Sequence, residues 1–334
     1  MKIAFFEIND LEKKYIQNDL KGHKLFFSKE KINEVDLSLI ENAEIISVFI
    51  YSNVNKKILS KLKKLKAIVT RSTGIDHIDI GACKKKKIKI YNVPDYGQNT
   101  VAEHTFALIL SLSRKINKAY DQTTKGNFSL ENLEGFDLKG KTLGIIGMGS
   151  IGRHVARIAN GFEMEVVAYD PFPNKSLEKK FNFRYTSLRE LLKNSDVVSL
   201  HCPYTKKNHH LINANNLKIM KKNSLLINTA RGDLIDTPSL VKALSEKRIG
   251  GAGLDVLEGE LLIKEEAELL SLHFPKKKLE TLIEDHLLLT FDNVIITPHI
   301  AFYSEEALKR ILNTALEDIQ AIIKNKKCDG EVKI

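Results

Sequence analysis

Apolar residues along this chain fall into two kinds of run, and the two kinds alternate. Short, nearly continuous ones occur at KIAFFEI (2–8), EIISVFI (44–50), KAIVTR (66–71) and IKIYNV (88–93). They read as strands, separated by Lys-rich segments such as VNKKILSKLKKL (54–65), where apolar residues return at helical spacing. A second series begins at KTLGIIG (141–147). It continues through EVVAYD (165–170), DVVSLHCP (196–203), SLLINTARG (224–232), AGLDV (252–256) and NVIITPH (293–299). Unbroken apolar character is what parallel strands covered on both faces require. The alternation predicts two α/β units. Two long amphipathic stretches join them. NTVAEHTFALILSLSRKINKAY (99–120) predicts one continuous helix with Asn99 or Thr100 as N-cap, and SEEALKRILNTALEDIQAIIKN (304–325) predicts another, with two glutamates following Ser304. No internal repeat or low-complexity linker interrupts the pattern, so these helices are the expected connections.

Composition narrows the class. With 334 residues, 43% hydrophobic and 28% charged, the chain is long enough for two ordinary globular domains. The opening MKIAFFEIND is too briefly apolar for a secretory signal, and no run approaches the roughly 20 apolar residues of a membrane span. Cys83, Cys202 and Cys328 are far apart with no CxxC, which points to a reducing, cytoplasmic location and to no metal set. The net charge of +10 sits in short runs such as KKKK (84–87) and PKKK (275–278). These read as solvated faces whose field draws small anions. Without aromatic interleaving or a known module, neither nucleic acid nor a membrane is an expected partner.

Chemistry gathers at the ends of the second series. GMGSIG (147–152) fits GxGxxG, follows the strand TLGII and opens the helix-like IGRHVARIANGF. Glycines there permit a tight turn and close backbone approach to a pyrophosphate at the helix N-terminus. Asp170 closes the next strand, where an acid accepts from the adenosine ribose and repels a 2′-phosphate, so NAD is favoured over NADP. Arg231 stands just beyond a buried strand, with a planar fork suited to a carboxylate. His299 follows Thr-Pro at the end of the last strand, and GLDVLEGE (253–260) supplies Asp255, Glu258 and Glu260. Reducing a 2-oxo acid needs a proton donor, a cation for the carboxylate and a hydride source, and these strand ends offer all three.

Together RSTGIDHID (71–79), NVPDYGQNTVAEHT (92–105), GKTLGIIGMGSIG (140–152), LHCP (200–203), NTARG (228–232), GLDVLEGE and ITPHIAFYSEEAL (296–308) closely resemble the D-isomer-specific 2-hydroxyacid dehydrogenases, above all their D-lactate dehydrogenase branch. The resemblance spans essentially the whole chain. It implies a flavodoxin-like substrate domain (1–98 and 300–334) and an inserted doubly wound NAD-binding domain (99–299), with the site in the cleft and a homodimer formed through the nucleotide domain. Arg231 would bind the substrate carboxylate, His299 would be the acid/base and Glu260 its carboxylate partner, which stabilises the protonated imidazole. Relatives acting on formate carry glutamine opposite the histidine, so Glu260 favours hydroxyacid chemistry. The resemblance assigns to NAD Gly147, Gly149, Ser150, Ile151, Gly152, Asp170, Cys202, Pro203, Asn208, Thr229, Ala230, Arg231 and Asp255. It assigns to the 2-oxo or 2-hydroxy acid Ser72, Thr73, Gly74, Tyr96, Arg231, His299 and Phe302, while Phe49 or Tyr51 could also reach the pocket. Glu258 matches no functional position and is expected at the loop surface, and His77, His104 and His201 are expected to be structural. Pyruvate or a somewhat larger 2-oxo acid is the leading substrate. Phosphoglycerate, glyoxylate/hydroxypyruvate and phosphite dehydrogenases are the alternatives, as are NAD(H)-sensing C-terminal-binding-protein corepressors. The segment LIKEEAELLSLHFPKKKLETLIEDHLLL (262–289) is expected to be helical and carries His273 and His286 away from any strand end.

Overall fold

The computed structural model describes residues 1–259, 286–328 and 330–333. Glu260 and most of the segment expected to be helical after it, with His273, lie outside the described residues. Backbone contacts divide the chain into two compact units, Met1–Tyr96 with Ser304–Ile334, and Gly97–Tyr303.

In the first unit, strands β1 (Lys2–Phe5), β2 (Lys24–Phe27), β3 (Ile45–Val48), β4 (Ala67–Thr70) and β5 (Lys89–Tyr91) form one sheet in the order β2-β1-β3-β4-β5. Every pairing is parallel. Central β3 and β4 are buried at all four positions, as strands covered on both faces must be. The order reverses between β1 and β3, a flavodoxin-like arrangement. Strand β2 was not legible: KLFF lies at the sheet edge with no fully buried residue, so its apolar run is short and half exposed.

The second unit holds β6 (Thr142–Ile146), β7 (Glu165–Tyr169), β8 (Arg184–Tyr185), β9 (Val197–Leu200), β10 (Leu225–Asn228), β11 (Gly251–Leu254) and β12 (Val294–Ile296). They pair in parallel in the order β12-β11-β10-β9-β6-β7-β8. Strand order reverses between β6 and β9, and in such doubly wound sheets ligands lie beyond the carboxyl ends of the strands at that point. Two-residue β8 is too short to show a period in sequence.

The stretch 99–120 is two helices rather than one, Gln98–Ser113 and Ile116–Thr124. Lys115 takes a left-handed backbone (φ 52°) and Arg114 closes the first helix, so continuous apolar spacing conceals a break. The first helix starts after Gly97 with no side-chain cap, so neither Asn99 nor Thr100 serves that role. Its buried face packs on β10 and β11 and on the helix Ser150–Gly161. In the first unit, Ser304 caps Glu305–Ile323 by accepting from the Ala307 amide. No helix among the described residues is long and apolar enough to cross a membrane.

Candidate active site

The three glycines of GMGSIG meet different surroundings. Gly147 has φ +100°, and a Cβ there would lie 2.7 Å from the Cys202 amide nitrogen. At Gly152 a Cβ would come within 2.2 Å of the Gly147 carbonyl oxygen, so this glycine lets the helix pack on its own turn. At Gly149 a Cβ would meet nothing within 4 Å. Gly149 is also the N-cap of the Ser150–Gly161 helix and supplies no capping side chain. The helix N-terminus thus keeps amide donors and an uncovered approach for a diphosphate. Asp170, at the end of β7, fastens the turn by accepting from the Met148 amide (3.0 Å) while its other oxygen takes the Phe172 amide (2.9 Å). The glycine turn and the helix N-terminus after it fit a dinucleotide.

Beyond β10 the chain turns at Thr229, Ala230 and Arg231. The turn is held by Asn228, which is fully buried, accepts from the Ala230 amide (3.0 Å) and donates to the Arg231 carbonyl (2.8 Å). Arg231 donates from Nη1 to the Ala230 carbonyl (2.7 Å). Gly232 is obligatory here, because a Cβ would strike the Leu257 carbonyl group at 2.1 Å. The strand-end loops that carry Arg231 and Glu258 are therefore in contact.

His299 sits past β12 with a left-handed backbone (φ 57°). Its amide donates to the Asp255 carbonyl (2.9 Å). The Asp255 side chain, 1% exposed, accepts from the Thr297 hydroxyl and from the amides of Ile300 and Ala301, both at 2.9 Å. His104, on the Gln98–Ser113 helix, brings Nε2 to 3.1 Å from the Thr297 hydroxyl and 3.4 Å from Asp255 Oδ1. The acid assigned to the cofactor thus also clamps both sides of His299. Phe302 meets the His299 ring edge-on, with centroids 6.3 Å apart, and is 9% exposed. Sequence reading missed Thr297 and the part taken by His104, whose partners are set by strand order. It also missed Asn228, whose side-chain bonds run to its near neighbours Ala230 and Arg231, because an asparagine ending an apolar strand carries no mark of the turn it holds.

Cys202, Pro203 and Asn208 form one loop after β9. Asn208 accepts from the Thr205 amide (2.6 Å) and donates to the Pro203 carbonyl (2.8 Å). Burial pushes the Cys202 thiol up to about 11, so it stays protonated at neutral pH. His201 donates to or accepts from the Ser199 hydroxyl (2.8 Å), and burial lowers it to about 3. It is a neutral, partly buried group. Glu258 departs from expectation: its side chain is only 19% exposed, with Oε1 2.8 Å from His210 Nε2 and Oε2 accepting from the Thr237 hydroxyl (3.2 Å). It faces the loop after β9 rather than solvent, because the Gly232 contact turns the 257–258 backbone inward.

In the first unit, the Ser72 hydroxyl donates to the Gly74 carbonyl (2.7 Å) and Thr73 donates to the Val93 carbonyl (2.9 Å). Among the described residues, no acceptor takes the amides of Ser72, Thr73 or Gly74. Tyr96 accepts from Arg310 through its carbonyl (2.6 Å). Glu7, unsuspected from sequence, accepts from the amides of Phe49 and Tyr51, both at 2.9 Å, and so sets that loop. His77 reaches the Thr70 hydroxyl (3.0 Å) and is lowered by burial, a structural position.

Residues 106–301 match the family model described as D-isomer specific 2-hydroxyacid dehydrogenase, NAD binding domain. The chain is 38% identical to a 2-hydroxyacid dehydrogenase homolog of Haemophilus influenzae, over 99% of each. It is 35% identical to the D-lactate dehydrogenase of Escherichia coli, over 99% of this chain and 100% of that one. A solved structure of Aquifex aeolicus D-lactate dehydrogenase, complexed with NAD and lactic acid, is similar with a TM-score of 0.84 and 40% identity, covering 97% of this chain and 96% of that one. With its two parallel-sheet units and its dinucleotide turn, the chain belongs to the D-isomer-specific 2-hydroxyacid dehydrogenases, in the D-lactate dehydrogenase branch, and is an enzyme that uses NAD.

Proposed function

We propose that the enzyme reduces pyruvate, or a somewhat larger 2-oxo acid, to the D-2-hydroxy acid. The observation that carries this reading is the placement of Arg231 and His299 beyond the carboxyl ends of β10 and β12, on the sheet edge that bears the Gly147–Gly152 turn. When bound, NADH supplies hydride to the carbonyl carbon. Gly149 and the Ser150–Gly161 helix N-terminus hold the diphosphate, and Asp170 holds the adenosine ribose. Arg231 pairs with the substrate carboxylate and polarises the carbonyl. His299 holds the proton that goes to the substrate oxygen and takes it back in the reverse reaction. Glu260, outside the described residues, is its proposed carboxylate partner. The amides of Ser72, Thr73 and Gly74 suit a carboxylate, which is the role proposed for them. Tyr96 and Phe302 are the proposed pocket aromatics, and the D-lactate dehydrogenase relatives support a small substrate side chain.

A spectrophotometric NADH-oxidation screen over pyruvate, 2-oxobutyrate, glyoxylate, hydroxypyruvate and its phosphate, with chiral analysis of the product, tests the reading. Highest kcat/KM with pyruvate or 2-oxobutyrate and a D product is expected. A preference for the hydroxypyruvates or glyoxylate would overturn the substrate assignment, and NADH binding without turnover of any acid would favour a sensing role. A homodimer and a cytoplasmic location are proposed from the family and from three free cysteines. Light scattering of the purified chain checks the former.

A further inference from the structure

Apart from the nicotinamide chemistry, the loop after β9 and the loop after β11 bring two histidines and a carboxylate together. His209, His210 and Glu258 each offer a ligand atom, and these atoms lie within 4.8 Å of one another. We propose that they form a site for a divalent transition-metal cation of the zinc type.

The two neighbouring imidazoles lie on the same side of the chain. Their rings stack with centroids 3.7 Å apart, and this depends on a left-handed backbone at His210 (φ 52°), which residues with a Cβ seldom adopt. Such a conformation persists only where its surroundings hold it. Here the His210 amide donates to the Asp233 carbonyl (2.9 Å), Ile212 to Leu234 (2.9 Å) and Asp236 to Ile212 (2.9 Å). His210 is thereby fixed between two carboxylates, with Nε2 2.8 Å from Glu258 Oε1 and Nδ1 3.4 Å from Asp236 Oδ1. Asp236 is itself held by the Ser239 hydroxyl, and Glu258 by Thr237.

This is the arrangement of a metal-binding histidine with an outer carboxylate. The cation replaces the proton between His210 Nε2 and Glu258, and the imidazole carries its own proton on Nδ1 toward Asp236. Two imidazoles and one carboxylate, with no thiolate, suit zinc and cobalt rather than magnesium or calcium, which take oxygen sets. Donors around tetrahedral zinc stand about 3.4 Å apart. His210 and Glu258 already approach more closely than that. The exposed His209 ring would exchange its stacking on His210 and its 3.5 Å contact with the Tyr204 hydroxyl for the metal, with water left for the fourth position.

The test is equilibrium dialysis of the full chain against CoCl2 and ZnCl2, with H209A and E258Q alongside. One metal per chain is expected, with the intense visible absorption of four-coordinate cobalt. Affinity should fall at least tenfold in each variant, in line with loss of a ligand. Zinc should raise the melting temperature of the wild type and not of H209A. His209 is exposed and Glu258→Gln preserves shape, and circular dichroism confirms that both variants fold. Absence of stoichiometric binding overturns the proposal, and so does undiminished binding in either variant, which would place the metal elsewhere, as at a cysteine.

Discussion

At Gly149 a methyl group would meet nothing within 4 Å, whereas at Gly152 it would lie 2.2 Å from the Gly147 carbonyl oxygen. Gly149→Ala should therefore keep the wild-type melting temperature while weakening NADH in a fluorescence titration, because the methyl occupies the approach to the diphosphate. Gly152→Ala should lower both. A drop in melting temperature for the first variant would show that Gly149 serves the fold instead. His299→Gln should abolish reduction and leave NADH affinity near wild type, and Arg231→Lys should chiefly raise KM for the oxo acid, since a point charge replaces a planar fork. Stopped-flow binding and steady-state kinetics separate these effects. Arg231 and His299 were legible because each follows an apolar strand inside a recognisable motif. Their supports were not. Thr297 and Asp255 meet His104 through β11, β12 and a helix far away in the chain, and nothing local in AEHT marks that histidine as their partner. Glu258 misled for the same reason, since the backbone contact at Gly232 that turns it inward is a property of two strands side by side.

Secondary-structure elements were read best where burial is complete. The fully buried strands β3, β4, β9, β10 and β11 announce themselves as unbroken apolar runs, while edge strands β2 and β8 do not. Helix ends depend on single backbone conformations, and the left-handed turn at Lys115 falls within an apolar spacing that passes straight through it. By contrast, Ser304 followed by two glutamates marks a start that the fold uses. Removing its hydroxyl in Ser304→Ala leaves the Ala307 amide without that acceptor, at a cost of about 1 kcal/mol. Amide hydrogen exchange at Ala307 should quicken by about fivefold, with exchange in the middle of the helix unaltered. Unchanged exchange at Ala307 would mean that the cap does not hold the first turn in solution.

Over the molecule as a whole, acid should act through His201. Its native imidazole stays neutral down to about pH 3, whereas in the unfolded chain it binds a proton near its ordinary 6.5. Between those values the unfolded state holds the extra proton, so this contribution is complete above about 6.5 and is lost as pH falls toward 3. Urea midpoints measured down that range should fall, with His201 adding a slope of up to about 1.4 kcal/mol per pH unit. His201→Gln should flatten that limb, and an unaltered slope would assign acid sensitivity to other groups. The division of the chain has a different consequence, for synthesis. The NAD-binding unit is one uninterrupted stretch, Gly97–Tyr303, but the unit around β1 to β5 needs Ser304–Ile334 to supply the helix that packs on β4. Made in order on a ribosome, the later-encoded unit is complete first, and the earlier sheet waits with apolar surface uncovered until the final helix emerges. Chaperone demand should therefore peak with the oldest part of the nascent chain, and end with its newest.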